Sequence, residues 1–273
     1  MAQCGSWPIG VCSWSLQTGM EGVARAMEEL GLDHVHLGIR PALGPEGKEV
    51  RAAIQKQKWT ISSTMMDFPQ EDYSSLERIR ITGGIVPDEA WERNRDLFFG
   101  AVEVTSDLGV RYMSMHLGFL DHADPVYTRK IADRTRILAD SAARRNVTVL
   151  LETGQETAAE LQRFLRELDH PAVAVNFDPA NMILYGKGNP AEALHILSPW
   201  IRHLHVKDAL KTETPGTWGS EVPWGSGQVG EKEFLQALLK IGFEGTLAVE
   251  REAGNSRWED IRQAVRRLTG FKP

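Results

Sequence analysis

The sequence has little cysteine, no long hydrophobic run and no excess of basic residues. Its 273 residues include two cysteines, Cys4 and Cys12, which are too few for a disulfide framework and favour a reducing compartment. No stretch reaches the roughly 18 uninterrupted apolar residues of a membrane span, and no basic segment precedes an apolar run at the N-terminus. These absences predict a cytoplasmic protein without a membrane partner.

The charge balance is mildly acidic and excludes another class of partner. There are 31 Lys and Arg residues against 37 Asp and Glu residues, which gives a net charge of −6. A nucleic-acid surface normally needs a basic stripe, so no nucleic-acid partner is expected. With 42% hydrophobic and 25% charged residues, the chain has the composition of an ordinary globular protein. Composition therefore predicts a folded chain and indicates no chemistry.

Short β-rich runs alternate with amphipathic helical patterns along the whole chain. The predicted strands are Ile9 to Leu16, His34 to Ile39, Thr60 to Met65, Tyr112 to His116, Thr148 to Glu152, Val173 to Asp178, His203 to Lys207 and Thr246 to Glu250. Eight such units in about 260 residues are typical of a (β/α)8 barrel. We therefore predict an α/β fold, a single (β/α)8 TIM barrel domain over residues 1–273, with a doubly wound open sheet as the alternative.

Two long loops interrupt the alternation. Pro69 to Arg93 follows the third strand, and Asp208 to Gly230 follows the seventh. Both leave the C-terminal end of a strand, which is the end where TIM barrel enzymes build their active sites. Long ordered loops at such a place are often lids, so both loops are predicted to border the site.

Acidic residues stand at the ends of the last strands. Glu152, Asp178 and Glu250 close the fifth, sixth and eighth strands, and His205 lies within the seventh. These strands are neighbours in a closed barrel, so the four side chains can converge. Crowded carboxylates repel one another unless a cation lies between them, and this mixed oxygen and nitrogen set suits Mn²⁺, Mg²⁺, Co²⁺ or Zn²⁺. The alternative, that each is a solvated residue at a strand boundary, stays open.

The segments LLETG, NFDPAN, HLHVKD and LAVERE resemble those of the sugar phosphate isomerase/epimerase family, which has the xylose isomerase-like TIM barrel. The resemblance implies that Glu152, Asp178, His205 and Glu250 bind one divalent metal ion. It also implies that Glu152 and Glu250 are catalytic and move protons. The expected activity is metal-dependent isomerisation or epimerisation of a ketose, keto-inositol or related keto-sugar, by proton transfer through a metal-stabilised enediolate.

Three further residues are predicted to bind the carbohydrate substrate. His116 ends the fourth strand, and Asn181 occupies the position where ketose 3-epimerases of this superfamily have a substrate-binding histidine. Lys207 follows His205 by two residues and therefore shares its face of the strand, nearer the mouth of the barrel. For His116 and Lys207, a structural role at the rim of the barrel is the alternative. Whether the chain forms a homo-oligomer stays open.

Three other activities compete with this hypothesis. A lyase acting on a 3-keto-glycoside or an inosose would begin with the same proton abstraction. An endonuclease acting at abasic DNA sites, by analogy within the superfamily, would need more histidines to hold several zinc ions. Finally, Gly225 to Gly230 matches the dinucleotide-binding pattern G-x-G-x-x-G, but the turn-rich segment before it does not fit the buried strand that this motif requires.

Overall fold

The computed structural model describes residues 2–214 and 216–272. Its centre is a closed barrel of eight parallel strands, which confirms the predicted α/β TIM barrel. The strands are β1 (Trp7–Cys12), β2 (His34–Gly38), β3 (Thr60–Met66), β4 (Tyr112–Met115), β5 (Thr148–Glu152), β6 (Val173–Phe177), β7 (Ile201–Val206) and β8 (Leu247–Val249). The barrel closes because β1 pairs with both β8 and β2. A short strand, Gln3–Cys4, pairs antiparallel with β1.

Helices surround the barrel. They are α1 (Met20–Leu30), α2 (Gly47–Gln55), α3 (Leu76–Thr82), α4 (Trp91–Asp107), α5 (Pro125–Ala143), α6 (Ala158–Leu168), α7 (Pro179–Leu184), α8 (Pro190–Leu197), α9 (Glu231–Lys240) and α10 (Arg257–Thr269). Local sequence explains where several begin. Asp124 caps α5 by accepting hydrogen bonds from two backbone N–H groups, and Thr157 and Glu160 form a capping box at α6.

The strand boundaries agree with the predicted ones to within two residues at both ends, except where the first strand ends. β5 has the predicted bounds, whereas the first strand ends at Cys12 and Ser13–Leu16 forms a 3-10 helix. The prediction was wrong there because apolar alternation continues into a turn that is itself partly buried, with Ser15 1% exposed. Asp178 likewise lies just outside β6, where it caps α7.

The two long loops lie where they were predicted. The loop after β3 contains α3, and the loop after β7 contains an antiparallel pair of short strands, Asp208–Leu210 and Ser220–Val222. The segment with the G-x-G-x-x-G pattern folds around Asp208, whose carboxylate accepts hydrogen bonds from the backbone N–H groups of Gly225, Gly227 and Val229. The glycines therefore allow the backbone to approach this aspartate, and the motif serves the structure of the loop.

Apolar side chains from the strands and the inner faces of the helices form one continuous core. The barrel interior near its mouth is polar instead, and contains His36, Asn176, His203 and His205, all at most 1% exposed. Within the described ranges, no helix has both the length and the apolar character needed to cross a bilayer. The single-domain organisation over residues 1–273 stays a prediction.

Candidate metal centre and active site

Four predicted ligands meet at the C-terminal end of the barrel. Potential ligand atoms of Glu152, Asp178, His205 and Glu250 lie within 4.8 Å of one another. His205 Nδ1 is at the centre, 3.5 Å from Glu152 Oε1, 3.4 Å from Asp178 Oδ2 and 3.1 Å from Glu250 Oε2. All four residues are at most 5% exposed, so they are not solvated residues at strand boundaries.

The backbone explains why Asp178 presents one oxygen to the centre. It is the N-terminal cap of α7, and its Oδ1 accepts a hydrogen bond of 2.9 Å from the backbone N–H of Asn181. Thr153 donates a hydrogen bond to the carbonyl oxygen of Asp178 and accepts one from its N–H. These contacts fix the backbone, and Oδ2 is left to point toward His205 Nδ1.

The donor set fits a divalent cation. Asp178 Oδ2 and His205 Nδ1 are buried and have no hydrogen-bond partner in the described part of the chain. A buried polar atom without a partner is costly, and two such atoms face the same point as the carboxylates of Glu152 and Glu250. Three carboxylates and one imidazole could hold Mn²⁺, Mg²⁺, Co²⁺ or Zn²⁺.

Neighbouring charges control the ionisation of the cluster. Burial alone would raise the pKa of Glu152, but the electrostatic effects of His116 and His205 lower it below its usual value. Burial likewise opposes ionisation of Asp178 and Glu250, and Lys207 and His205 outweigh it, so both pKa values are lowered. Burial would lower the pKa of His205, but Glu250 and the other acids raise it well above its usual value. The acids are therefore ionised at neutral pH.

A polar network inside the barrel contacts His205 at Nε2, the ring nitrogen opposite the carboxylates. His205 Nε2 lies 2.9 Å from His36 Nδ1 and 3.1 Å from Asn176 Nδ2. Asn176 Oδ1 contacts His203 Nδ1 at 2.9 Å, and His203 Nε2 contacts Ser62 Oγ at 2.9 Å. Burial and the charge of neighbouring histidines lower the pKa of both His36 and His203 well below the usual value. Neutral imidazoles thus orient His205 so that Nδ1 faces the carboxylates.

The three predicted substrate-binding residues also lie at the centre. Asn181 Nδ2 donates a hydrogen bond of 3.0 Å to Glu152 Oε1, and His116 Nε2 lies 3.7 Å from the same oxygen. Lys207 Nζ lies 3.0 Å from Glu250 Oε2 and 3.4 Å from Asn181 Oδ1. All three line the cavity above the cluster. Substrate binding by these residues stays a proposal.

This cavity has a volume of about 650 Å³ and opens at the mouth of the barrel. Besides the predicted residues it is lined by Trp14, Met65, Tyr185 and Trp218, among others. Trp14 Nε1 donates a hydrogen bond of 2.8 Å to Glu250 Oε1, which ties the loop after β1 to the cluster. Trp218 belongs to the loop after β7, so this loop also borders the cavity.

Sequence reasoning missed several polar residues of the cavity and its support. Glu71 and Glu221 line the cavity from the two long loops, and Glu252 contacts Lys207 at 3.0 Å. Nothing in the local sequence distinguishes these acids from other loop acids. Asn176 could have been found, because a polar residue interrupts the fully buried run VAVNF of β6.

A second group of potential ligands lies beneath the first and shares His205 with it. Its other members are Cys12 and His36. Burial raises the pKa of the Cys12 thiol to about 12, so without a metal ion the sulfur is protonated at neutral pH. Among the described residues, the potential ligand groups are these two, whereas the endonuclease alternative needs a larger set of histidines.

Comparison with known proteins agrees with this architecture. The sequence model of the xylose isomerase-like TIM barrel family matches residues 17–270. The crystal structure of a xylose isomerase domain protein from Planctomyces limnophilus superimposes with a TM-score of 0.86 at 31% identity, covering 97% of this chain and 96% of that one. The structure of 3-keto-D-glucoside 4-epimerase from E. coli has a TM-score of 0.71 at 18% identity, covering 96% of each chain, and supports the fold alone.

A curated relative has a named activity. Inosose dehydratase from Geobacillus thermodenitrificans is 28% identical over 192 residues, which are 60% of this chain and 62% of the dehydratase. The match therefore spans less than two thirds of that relative's length.

Proposed function

Because the chain belongs to the xylose isomerase-like TIM barrel family, we propose that it is a divalent-metal-dependent sugar isomerase or epimerase. Its substrate would be a ketose, a keto-inositol or a related keto-sugar. The observation that carries the proposal is the convergence of Glu152, Asp178, His205 and Glu250 on one buried point beneath a solvent-connected cavity. We propose these four residues as the ligands of one divalent ion.

The ion would polarise a substrate carbonyl and favour the negative charge that develops on its oxygen when a neighbouring C–H loses its proton. Glu152 and Glu250 are the proposed proton carriers. Their lowered pKa values keep them ionised at neutral pH, which is the form that removes a proton. Asn181 and Trp14 each donate a hydrogen bond to one of these carboxylates and would hold it in position.

Two carboxylates on different strands could remove a proton from a substrate carbon and return one to it from a different direction. Glu152 ends β5 and Glu250 follows β8, so a substrate bound between them would present its reacting carbon to both. One carboxylate would remove a proton and the other would return one, which inverts a stereocentre of the substrate or moves its carbonyl group to a neighbouring carbon. His116 and Lys207 would contact substrate oxygens from the rim of the same cavity.

The similarity to inosose dehydratase favours a second candidate function, dehydration. Loss of a hydroxyl group β to the carbonyl begins with the same proton abstraction and requires the same side chains. The two reactions differ in whether the proton returns or a hydroxyl leaves. Lys207 and His116 line the cavity and can donate hydrogen bonds, so they are the groups we propose to give a proton to the leaving hydroxyl.

Solvent-exchange experiments test both candidates at once. Keto-sugars and inososes are incubated in D₂O with the protein, with Mn²⁺ or with a chelator, and followed by mass spectrometry. We expect deuterium at a carbon next to the carbonyl with Mn²⁺ and none with the chelator. A product that has lost one molecule of water relative to the substrate would identify dehydration. Absence of exchange across the whole set, with protein that has bound Mn²⁺, would refute the proposal.

A further inference from the structure

The charges that line the cavity constrain what can enter it, and this inference rests on the proposed function of the same site. We infer that the substrate is an uncharged keto-polyol or keto-sugar, and that phosphorylated sugars and keto acids are rejected. The lining contains six carboxylates, those of Asp67, Glu71, Glu152, Glu221, Glu250 and Glu252. It contains two permanent cations among the described residues, Arg40 and Lys207.

Lys207, the cation next to the centre, is already paired. Its ammonium lies 3.0 Å from Glu250, 3.0 Å from Glu252 and 3.6 Å from Asp178. If a metal ion takes up the charge of Glu250 and Asp178, Glu252 still balances that of the lysine. An incoming phosphate or carboxylate would have to displace Glu252 from the lysine before it could be bound there.

Arg40, the cation at the rim, is paired as well. Its guanidinium makes a 2.5 Å contact with the carboxylate of Asp67. Arg251, which follows β8, is paired too: it forms ion pairs with Glu221 at 2.7 Å and with Asp260 at 2.9 Å. In the described lining, each permanent cation therefore already has a carboxylate partner, and neither is left to recognise an anionic group.

An uncharged polyol suits the same surface. Carboxylates accept hydrogen bonds from hydroxyl groups, and a sugar carries several such donors. Aromatic rings of Trp14, Tyr73, Tyr185 and Trp218 line the cavity between the acids and offer apolar faces to the C–H groups of a sugar ring. Tyr185 and Trp218 pack edge to face with 4.8 Å between ring centroids, so the two rings support each other in the cavity wall.

The test compares matched neutral and anionic compounds with the Mn²⁺-loaded protein. D-fructose is compared with D-fructose 6-phosphate, and a keto-inositol with 3-dehydroshikimate, by solvent deuterium exchange and by the thermal shift on binding. We expect kcat/KM for exchange to be at least about a hundredfold higher for the neutral member of a reactive pair, because the anion would have to replace Glu252 as the partner of Lys207.

Two variants separate the stated cause from general effects. Glu252→Gln removes a carboxylate partner of Lys207 and should raise the anionic-to-neutral ratio of kcat/KM about tenfold. Glu244→Gln changes an exposed acid at the other end of β8 and should leave the ratio as it is. An unchanged ratio in Glu252→Gln would contradict the role given to the lysine pairing.

The outcomes distinguish this inference from the proposed function. Exchange of anionic compounds equal to or faster than that of their neutral partners would overturn the inference and leave the proposed function standing. Absence of exchange and of binding for every compound, with Mn²⁺ bound, would overturn both. Exchange restricted to neutral compounds supports both.

Discussion

The two halves of the barrel mouth supply different things to the same cavity. The half built by β5 to β8 carries the charged cluster of Glu152, Asp178, His205 and Glu250. The half built by β1 to β4 contributes mainly Trp14, Met65 and the loop after β3. Adjacent strands lie about 4.8 Å apart, so charged residues at the ends of consecutive strands are forced together. The second half therefore supplies all four proposed metal ligands, and the first half supplies His116 and part of the cavity wall.

The largest expected effect is the loss of a carboxylate from the charged half. Glu152→Gln and Glu250→Gln keep the size of the side chain but cannot carry a proton, so each should lower α-hydrogen exchange by about a thousandfold or more. The measurement is deuterium incorporation with Mn²⁺ present. Asp67→Asn, which removes a cavity carboxylate from the other half, should cost less than tenfold. Wild-type exchange in either glutamine variant would refute that residue's role.

His36 tests whether the division between the halves is complete, because it lies on β2 and contacts a proposed ligand on β7. His36→Leu removes the partner of His205 Nε2 and should weaken Mn²⁺ binding by about ten- to a hundredfold. His36→Gln retains an acceptor and should recover part of the affinity. Calorimetric titration measures both, and thermal unfolding of the metal-free variants separates a positioning role from lost stability. Unchanged affinity in His36→Leu would show that the halves act independently.

The charged half should couple metal binding to pH. The surrounding acids raise the pKa of His205 well above its usual value, so without metal the ring is protonated. The ring must lose the proton on Nδ1 before that nitrogen can bind a metal ion. Affinity for Mn²⁺ should therefore rise about tenfold per pH unit while that proton is present. Titrations at pH 6 and 7, in two buffers with different ionisation enthalpies, should show release of about one proton. Equal affinity at both pH values would contradict this.

The smallest effect on turnover is expected at Glu156, an acid of the second half that lies outside the cluster. It is 4% exposed, and burial raises its pKa from 4.5 to about 8 despite the charge of Lys187. The folded state therefore holds a proton that the unfolded state has lost between pH 4.5 and 8, and its stability falls by about 1.4 kcal/mol per pH unit in this window.

Glu156→Gln removes that dependence, so it should stabilise the protein at pH 8 and leave stability at pH 4 nearly unchanged. Denaturant unfolding at the two pH values measures the difference, with Glu244→Gln as the control at an exposed site. If wild type and Glu156→Gln lose stability in parallel between pH 4.5 and 8, the buried acid is not responsible. Burial of a carboxyl group outside the cluster would then not produce the predicted dependence of stability on pH.

The sequence was most informative where the strand pattern itself places a residue. Glu152, Asp178 and Glu250 each end a β-rich run, and the closed barrel confirms that such ends lie side by side. The pattern could not show that Asp178 caps α7 with one oxygen while presenting the other. That detail depends on where the strand stops, which apolar alternation does not determine to the residue.

Contacts across the barrel were beyond prediction for a different reason. His36 and His205 are 169 residues apart and meet inside the barrel. The pairing of β2 with β3 and that of β6 with β7 each contain a register shift, which changes the side chains that face inward. Glu221 and Glu252 are brought to the cavity by loops, whose course depends on tertiary contacts such as the ion pair of Arg251 with Glu221. Residue type and spacing carry no signal for these approaches.

Metal content tests the central claim most directly. Protein dialysed against Mn²⁺ and then against metal-free buffer is analysed by plasma emission spectroscopy, alongside Asp178→Asn, which removes a proposed ligand oxygen that points to the centre. We predict one divalent ion per chain in the wild type and a large loss in the variant. No bound ion, or three zinc ions per chain, would contradict a mononuclear centre built by the second half of the barrel.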